Sequence, residues 1–104
     1  MESFEKKAWY NQLFDLYGDL LTDKQQNYFK LYYFEDYSLQ EIAEVFEVSR
    51  NAVFDQLKKT EEHLIHYEHI LKCYEKREAR LKLIDEIEEK GLKELAEALR
   101  KLDE

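Results

Sequence analysis

The chain has 104 residues, a formal net charge of −8, no proline, two glycines and a 38% share of charged residues. That length holds one modest core, and the missing proline together with abundant Glu, Lys and Leu favours an all-α protein. No run of 18 apolar residues offers a membrane span, Met1-Glu-Ser-Phe-Glu-Lys-Lys7 lacks the apolar centre of a signal peptide, and the single cysteine, Cys73, has no partner for an internal disulfide, so a reducing cytoplasmic setting is expected. In chain order, Trp9, Leu13, Leu16 and Tyr17 recur at helical spacing and predict a first helix from about Phe4 to Tyr17, stopping at Gly18-Asp19. Thr22 and Gln25 form a capping box that opens a second helix through Tyr28, Phe29, Leu31 and Tyr32.

The segment 38–57 is the most informative. Ser38 and Glu41 form another capping box, and Leu39, Ile42, Ala43 and Phe46 make one apolar stripe. Ala43 lies where a second helix must cross closely, so a larger side chain there would push the two apart. Val48 is the apolar residue of a tight turn, Ser49 caps the next helix, and Val53 and Leu57 point back into the same core. Together these predict a helix-turn-helix. Glu47 stands where such a turn commonly has glycine and is expected to adopt the left-handed conformation at modest cost.

Beyond Ser49 no helix breaker occurs until Gly91, which predicts one helix of more than forty residues. Leu57, Leu64 and Leu71 repeat every seven positions, interleaved with Thr60, Tyr67, Tyr74 and Leu81, a heptad seam that packs back on the N-terminal helices in part and joins two chains in part. A homodimer is therefore expected. After Gly91, Leu92, Leu95, Leu99 and Leu102 fall on one face of a final short amphipathic helix. The resulting organisation is a helix-turn-helix domain at 1–60 and a helical extension at 61–104.

Charge by segment sharpens this. The helix-turn-helix segment 38–60 carries −1, residues 61–71 carry −3, residues 72–82 carry +3 and residues 83–104 carry −4. The basic island is Lys72, Lys76, Arg77, Arg80 and Lys82. With Val53 and Leu57 turned inward, the second helix of the motif presents Asn51, Asp55, Lys58 and Lys59 outward, with Arg50 at the flank. Arg50 and Asn51 suit base edges or phosphates, whereas Asp55 would repel phosphates from the middle of that face.

Leu21-Thr-Asp-Lys-Gln25, Leu31-Tyr-Tyr33, Asp36-Tyr-Ser-Leu39, Glu41-Ile-Ala43, Val48-Ser-Arg50, Ala52-Val53 and Lys59-Thr-Glu61 closely resemble the YlxM-type family of helix-turn-helix proteins from low-GC Gram-positive bacteria and mycoplasmas. The resemblance covers roughly residues 4–88 and includes the connecting segments as well as the motif. More distantly the segment is similar to the promoter-reading C-terminal region of bacterial sigma factors. The resemblance implies an all-α, sigma region 4-like helix-turn-helix bundle with a long helical extension. It also implies an accessory role in the signal recognition particle pathway, because the family's genes lie beside those of the targeting GTPase and its receptor. Regulatory DNA binding has been proposed for the family as well. The family has no established catalytic residues to carry over, and no enzyme is expected here.

Other chemistry is weakly signalled. His63, His66 and His69, three residues apart, fan around a helix and converge poorly on a tetrahedral metal, so solvated or seam-flanking histidines are expected. Glu61-Glu62, Asp85-Glu86 and Glu88-Glu89 read as a solvated helix surface, Cys73 as a small apolar filler, and Tyr28, Phe29, Tyr32, Tyr33 and Phe34 as packing rather than base-stacking rings. No cofactor is implied. Three function classes follow: a non-enzymatic accessory protein contacting the particle's RNA or GTPase through Lys58, Lys59 and the basic island; a dimeric DNA-binding regulator reading through Arg50, Asn51 and Lys58; and a pure protein–protein module.

Overall fold

The computed structural model describes residues 3–102. Asp103 and Glu104, which contribute to the acidic tail, lie outside the described residues. The described residues form six α-helices and one 3₁₀ turn: α1 Phe4–Tyr17, the turn Gly18–Leu20, α2 Asp23–Tyr33, α3 Leu39–Phe46, α4 Arg50–Leu71, α5 Cys73–Glu89 and α6 Lys93–Leu102. They fall into two compact units that divide between Leu71 and Lys72. A boundary at residue 60 would lie inside α4, which carries Leu64 into the core of the first unit.

The helix starts follow the caps. Ser3 accepts from the Lys6 amide, and reciprocal capping boxes close at Thr22 with Gln25 and at Ser38 with Glu41. Each satisfies two of the amides that a helix N-terminus leaves without a partner. The exit from α1 uses no left-handed glycine. Gly18 keeps right-handed angles, and its lack of a side chain matters because a Cβ would sit 3.1 Å from the Phe14 ring.

In the first unit, α1 and α2 pack on α4, and α3 crosses α4 through the small side chain of Ala43. Tyr28, Ile42, Ala43, Val53 and Leu57 form the core of this crossing, with Leu31, Tyr37 and Val48 packed against it. Beside it lies an aromatic layer. Phe29 stacks between Phe14 at 4.4 Å and Tyr33 at 4.3 Å, and Phe34 meets both Phe14 and Phe29 edge-on. Offset and edge-to-face rings of this kind add to their area burial, so this cluster is packing, as its sparse cations predict. Two tyrosine hydroxyls then tie the layers to α4: Tyr17 donates to Glu68 at 2.6 Å and Tyr33 to Glu61 at 3.3 Å.

The expected uninterrupted helix from Ser49 to Gly91 is not formed. Lys72 takes left-handed angles, φ 55° and ψ 31°, and separates α4 from α5. Neither glycine nor proline marks the site, so composition gives no warning. The heptad seam is divided with it. Leu57, Thr60 and Leu64 are buried within the single chain, Tyr67 is half-buried with its ring 6.0 Å from Tyr17, and Leu71 is exposed. The upstream half of the seam thus belongs to the core of one protomer. The second unit is the hairpin of α5 and α6, closed by Gly91 at φ 88° and by the Leu92 amide donating to Ile87. Arg100 pairs with Asp85 at 2.7 Å and Glu88 at 2.6 Å across the hairpin, and these hydrogen bonds, Glu88 first, hold its guanidinium above the ordinary range. No helix among the described residues is long and apolar enough to cross a membrane.

Candidate nucleic-acid interface

The turn between α3 and α4 fixes where the second helix points. Glu47 adopts the left-handed conformation at φ 55° and ψ 45°, and the amides of Glu47 and Val48 both donate to the Ala43 carbonyl. Ser49 then accepts from the Ala52 amide at 3.0 Å and caps α4. With Val53 and Leu57 buried against α3, the opposite side of α4 is fixed by helical geometry. Asn51, Asp55, Lys58 and Lys59 are exposed there, and Arg50 is exposed at the flank of this face, in the first turn and nearer the line of Val53 and Leu57.

Around that face Asp55 stands at the centre, with Asn51 and Lys58 to one side of it and Lys59 to the other. Glu62 follows Asp55 seven residues later on the same line and is also exposed. An acidic line down the middle of the face opposes a phosphate backbone, whose attraction for protein depends on Lys and Arg. Arg50 and Asn51 in the first turn remain the positions best placed to approach a polyanion.

The basic island resolves into two faces of α5. Lys76 and Arg80, spaced by four on α5, form one exposed ridge, and Lys72, exposed in left-handed angles at the N-cap, stands at its start. Arg77 adjoins it, half-buried, with its guanidinium 5.7 Å from the centre of the Tyr74 ring. Lys82 does not join them. It lies about 160° around the helix from Arg80, one turn beyond Glu78. The ridge is therefore a run of four cations, and the two candidate surfaces lie in different units.

One feature was missed from sequence. A groove of about 720 Å³ in the first unit runs along α4 past Phe54, Lys58, Glu61, Ile65, His66 and His69, with Lys6, Tyr10, Tyr32 and Leu39 on its other wall. Phe54 and Ile65 sit one position off the Leu57–Leu64 seam, so a search for heptads passes over them. The available signal was their type and place: both are large apolar residues off the inward stripe of α4, and the structure turns both to solvent. His66 and His69 line this groove, and among the described residues no three His, Cys, Asp or Glu side chains converge on a metal position.

Comparison with known proteins places this arrangement among close relatives. Residues 4–103 match the UPF0122 family model, described as "Putative helix-turn-helix protein, YlxM / p13 like". The chain is 47% identical to a UPF0122 protein of Oceanobacillus iheyensis over 103 residues, covering 95% of this chain and 98% of that one. It is 46% identical to YlxM of Bacillus subtilis, over 97% and 99% of the two chains. A UPF0122 protein of Listeria innocua is 53% identical over 85 residues, or 82% of this chain and 77% of the relative.

Proposed function

This chain belongs to the UPF0122 family of YlxM/p13-like helix-turn-helix proteins, and on that premise we propose that it is a non-enzymatic accessory protein of the signal recognition particle pathway that contacts the particle's RNA. The observation that carries this reading is the exposed ridge of Lys76 and Arg80 on α5, with exposed Lys72 at the N-cap of that helix and half-buried Arg77 beside the ridge. It is the densest run of cations in a chain of net charge −8. Regularly spaced cations on a helix suit the phosphates of a folded RNA, which proteins recognise largely by shape and backbone. The aromatic ring under Arg77 preorganises one of them. Lys58 and Lys59 extend the same chemistry to α4. The pathway itself comes from the family resemblance and the position of the family's genes.

The test is a titration of fluorescently labelled particle RNA with the full chain at physiological salt. Binding whose affinity falls with salt, and its loss in the Lys76→Gln, Arg77→Gln, Arg80→Gln triple variant, is the expected result. Binding of the targeting GTPase without RNA would move the contact to protein. No binding to either would overturn the reading.

A second reading has its own observation. Arg50 and Asn51 stand exposed in the first turn of α4, the position from which a helix of this motif reads base edges. On that reading the first unit is arranged like the promoter-reading region of sigma factors, and the protein is a DNA-binding regulator that uses Arg50, Asn51 and Lys58. Selection from random duplexes that enriches no sequence would remove it.

A further inference from the structure

The α5–α6 hairpin is a compact unit with very little core of its own. Among the described residues only Ile84 and Ala96 are buried in it. Units of about thirty residues do not hold together on so small a core without a staple or a partner. At the same time α6 leaves its apolar stripe uncovered: Leu92 is 50%, Leu95 59%, Leu99 40% and Leu102 81% exposed, and Leu83 on α5 is 59% exposed. Leu92, Leu95, Leu99 and Leu102, with Ile87 and Ala98, border an apolar groove of about 380 Å³ in the same unit.

We propose that this face docks a second copy of the same chain, so that two hairpins close into an antiparallel four-helix bundle around α6. Three observations select that occupant. The leucine spacing on α6 is three, four, three, which reads the same from either end. An antiparallel copy therefore sets Leu92 against Leu102 of the second copy and Leu95 against Leu99, in the layered manner of a helical bundle. Ala98 lies on the stripe near its centre, where a small side chain lets the two helices approach. The charges at the open edge are also self-complementary. Glu94 and Lys101 lie seven residues apart at that edge, on the side of the helix away from Arg100, and an antiparallel copy brings each alongside the other's opposite charge. Area supports the same occupant. The exposed leucine surface is on the order of 500 Å² per chain, so a pair that covers it buries about 1,000 Å², the area at which a specific interface of the weaker class begins. This relocates the dimer expected from the heptad seam, whose upstream half is occupied inside the protomer, to the helix after Gly91. It does not depend on which nucleic acid or protein the chain contacts.

The test is sedimentation equilibrium of the full chain from low to high micromolar concentration, with far-ultraviolet circular dichroism as the check on folding. The wild-type chain is expected to reach twice the chain mass. Leu95→Glu, at an exposed position, is expected to remain helical and stay at the mass of one chain. Glu94→Lys and Lys101→Glu are each expected to weaken the dimer several-fold at low salt, and the double variant Glu94→Lys, Lys101→Glu to restore it. A wild-type chain that remains monomeric at about 200 μM (roughly two hundred times a micromolar dissociation constant), or a dimer unaffected by Leu95→Glu and by both charge reversals, overturns the proposal.

Discussion

Glu47 donates its amide to the carbonyl of Ala43 while standing in the left-handed region, and this pair sets the angle at which α4 leaves α3. A side chain at φ 55° meets its own backbone, which costs roughly 1 kcal/mol relative to glycine. Glu47→Gly is therefore expected to stabilise the protein by about 0.5–1 kcal/mol, less the larger entropy of glycine in the unfolded chain. Urea unfolding should show a higher midpoint at unchanged slope. A lower midpoint would mean that the Glu47 side chain supports the turn.

Tyr17 and Glu68 are 51 residues apart and share a 2.6 Å hydrogen bond that fastens α1 to the far part of α4. The Tyr17 ring is buried and stays so in Tyr17→Phe, which removes only the hydroxyl. The expected loss is about 1–2 kcal/mol, because the bond is to a charged group and the carboxylate is half-buried. Equilibrium denaturation checks it, and Glu68→Gln, which keeps an acceptor, should cost less.

Thr60 is the buried polar residue of the seam, and its hydroxyl donates to the Gln56 carbonyl at 2.8 Å, four residues back on the same helix. That carbonyl belongs to the helical ladder in any case, so Thr60→Val strands no buried partner. A change within about 1 kcal/mol is expected, whereas Thr60→Leu overfills a closed site and should cost about 1–3 kcal/mol. Thermal unfolding of the two variants distinguishes a packing position from a polar one.

Asp55 at the centre of the outward face of α4 should limit non-specific binding of nucleic acid to the first unit. Asp55→Asn removes a repulsive charge and is expected to raise affinity for random duplex DNA by roughly three- to tenfold at low salt, an effect that fades as salt is added. Fluorescence anisotropy at two salt concentrations measures it. An unchanged affinity would mean that α4 does not face the nucleic acid.

Arg100 joins α6 to α5 through Asp85 and Glu88. Arg100→Gln should loosen the hairpin, seen as faster amide hydrogen exchange across Lys93–Leu102 with α1 to α4 unaffected. Because the pairs face solvent, the difference should shrink in high salt.

Much of this was legible in sequence because it is local. The starts of α2, α3 and α4 follow from Thr22, Ser38 and Ser49, whose side chains need only the next three residues to act as caps. The inward positions Ile42, Ala43, Val53 and Leu57 follow from helical period, and the left-handed turn at Glu47 from its place between two amphipathic stripes. The exposed residues of α4 followed from the same period. The break at Lys72 did not, because Leu71-Lys-Cys73 contains no residue that disfavours a helix on its own. With that break went the expectation of one long helix, whereas the separation of Lys82 from Arg80 follows from helical period alone.

By itself the sequence determined the helix-turn-helix, its caps and the face that α4 turns outward, since each rests on interactions within one or two turns of helix. Only the tertiary structure decided which half of the seam is already occupied and where α4 ends. It alone decided that the leucines after Gly91 lie open on a hairpin with almost no core. A heptad records that a face is apolar. Whether that face is covered depends on which residues of α1 and α2 reach it, and no spacing along α4 can report that.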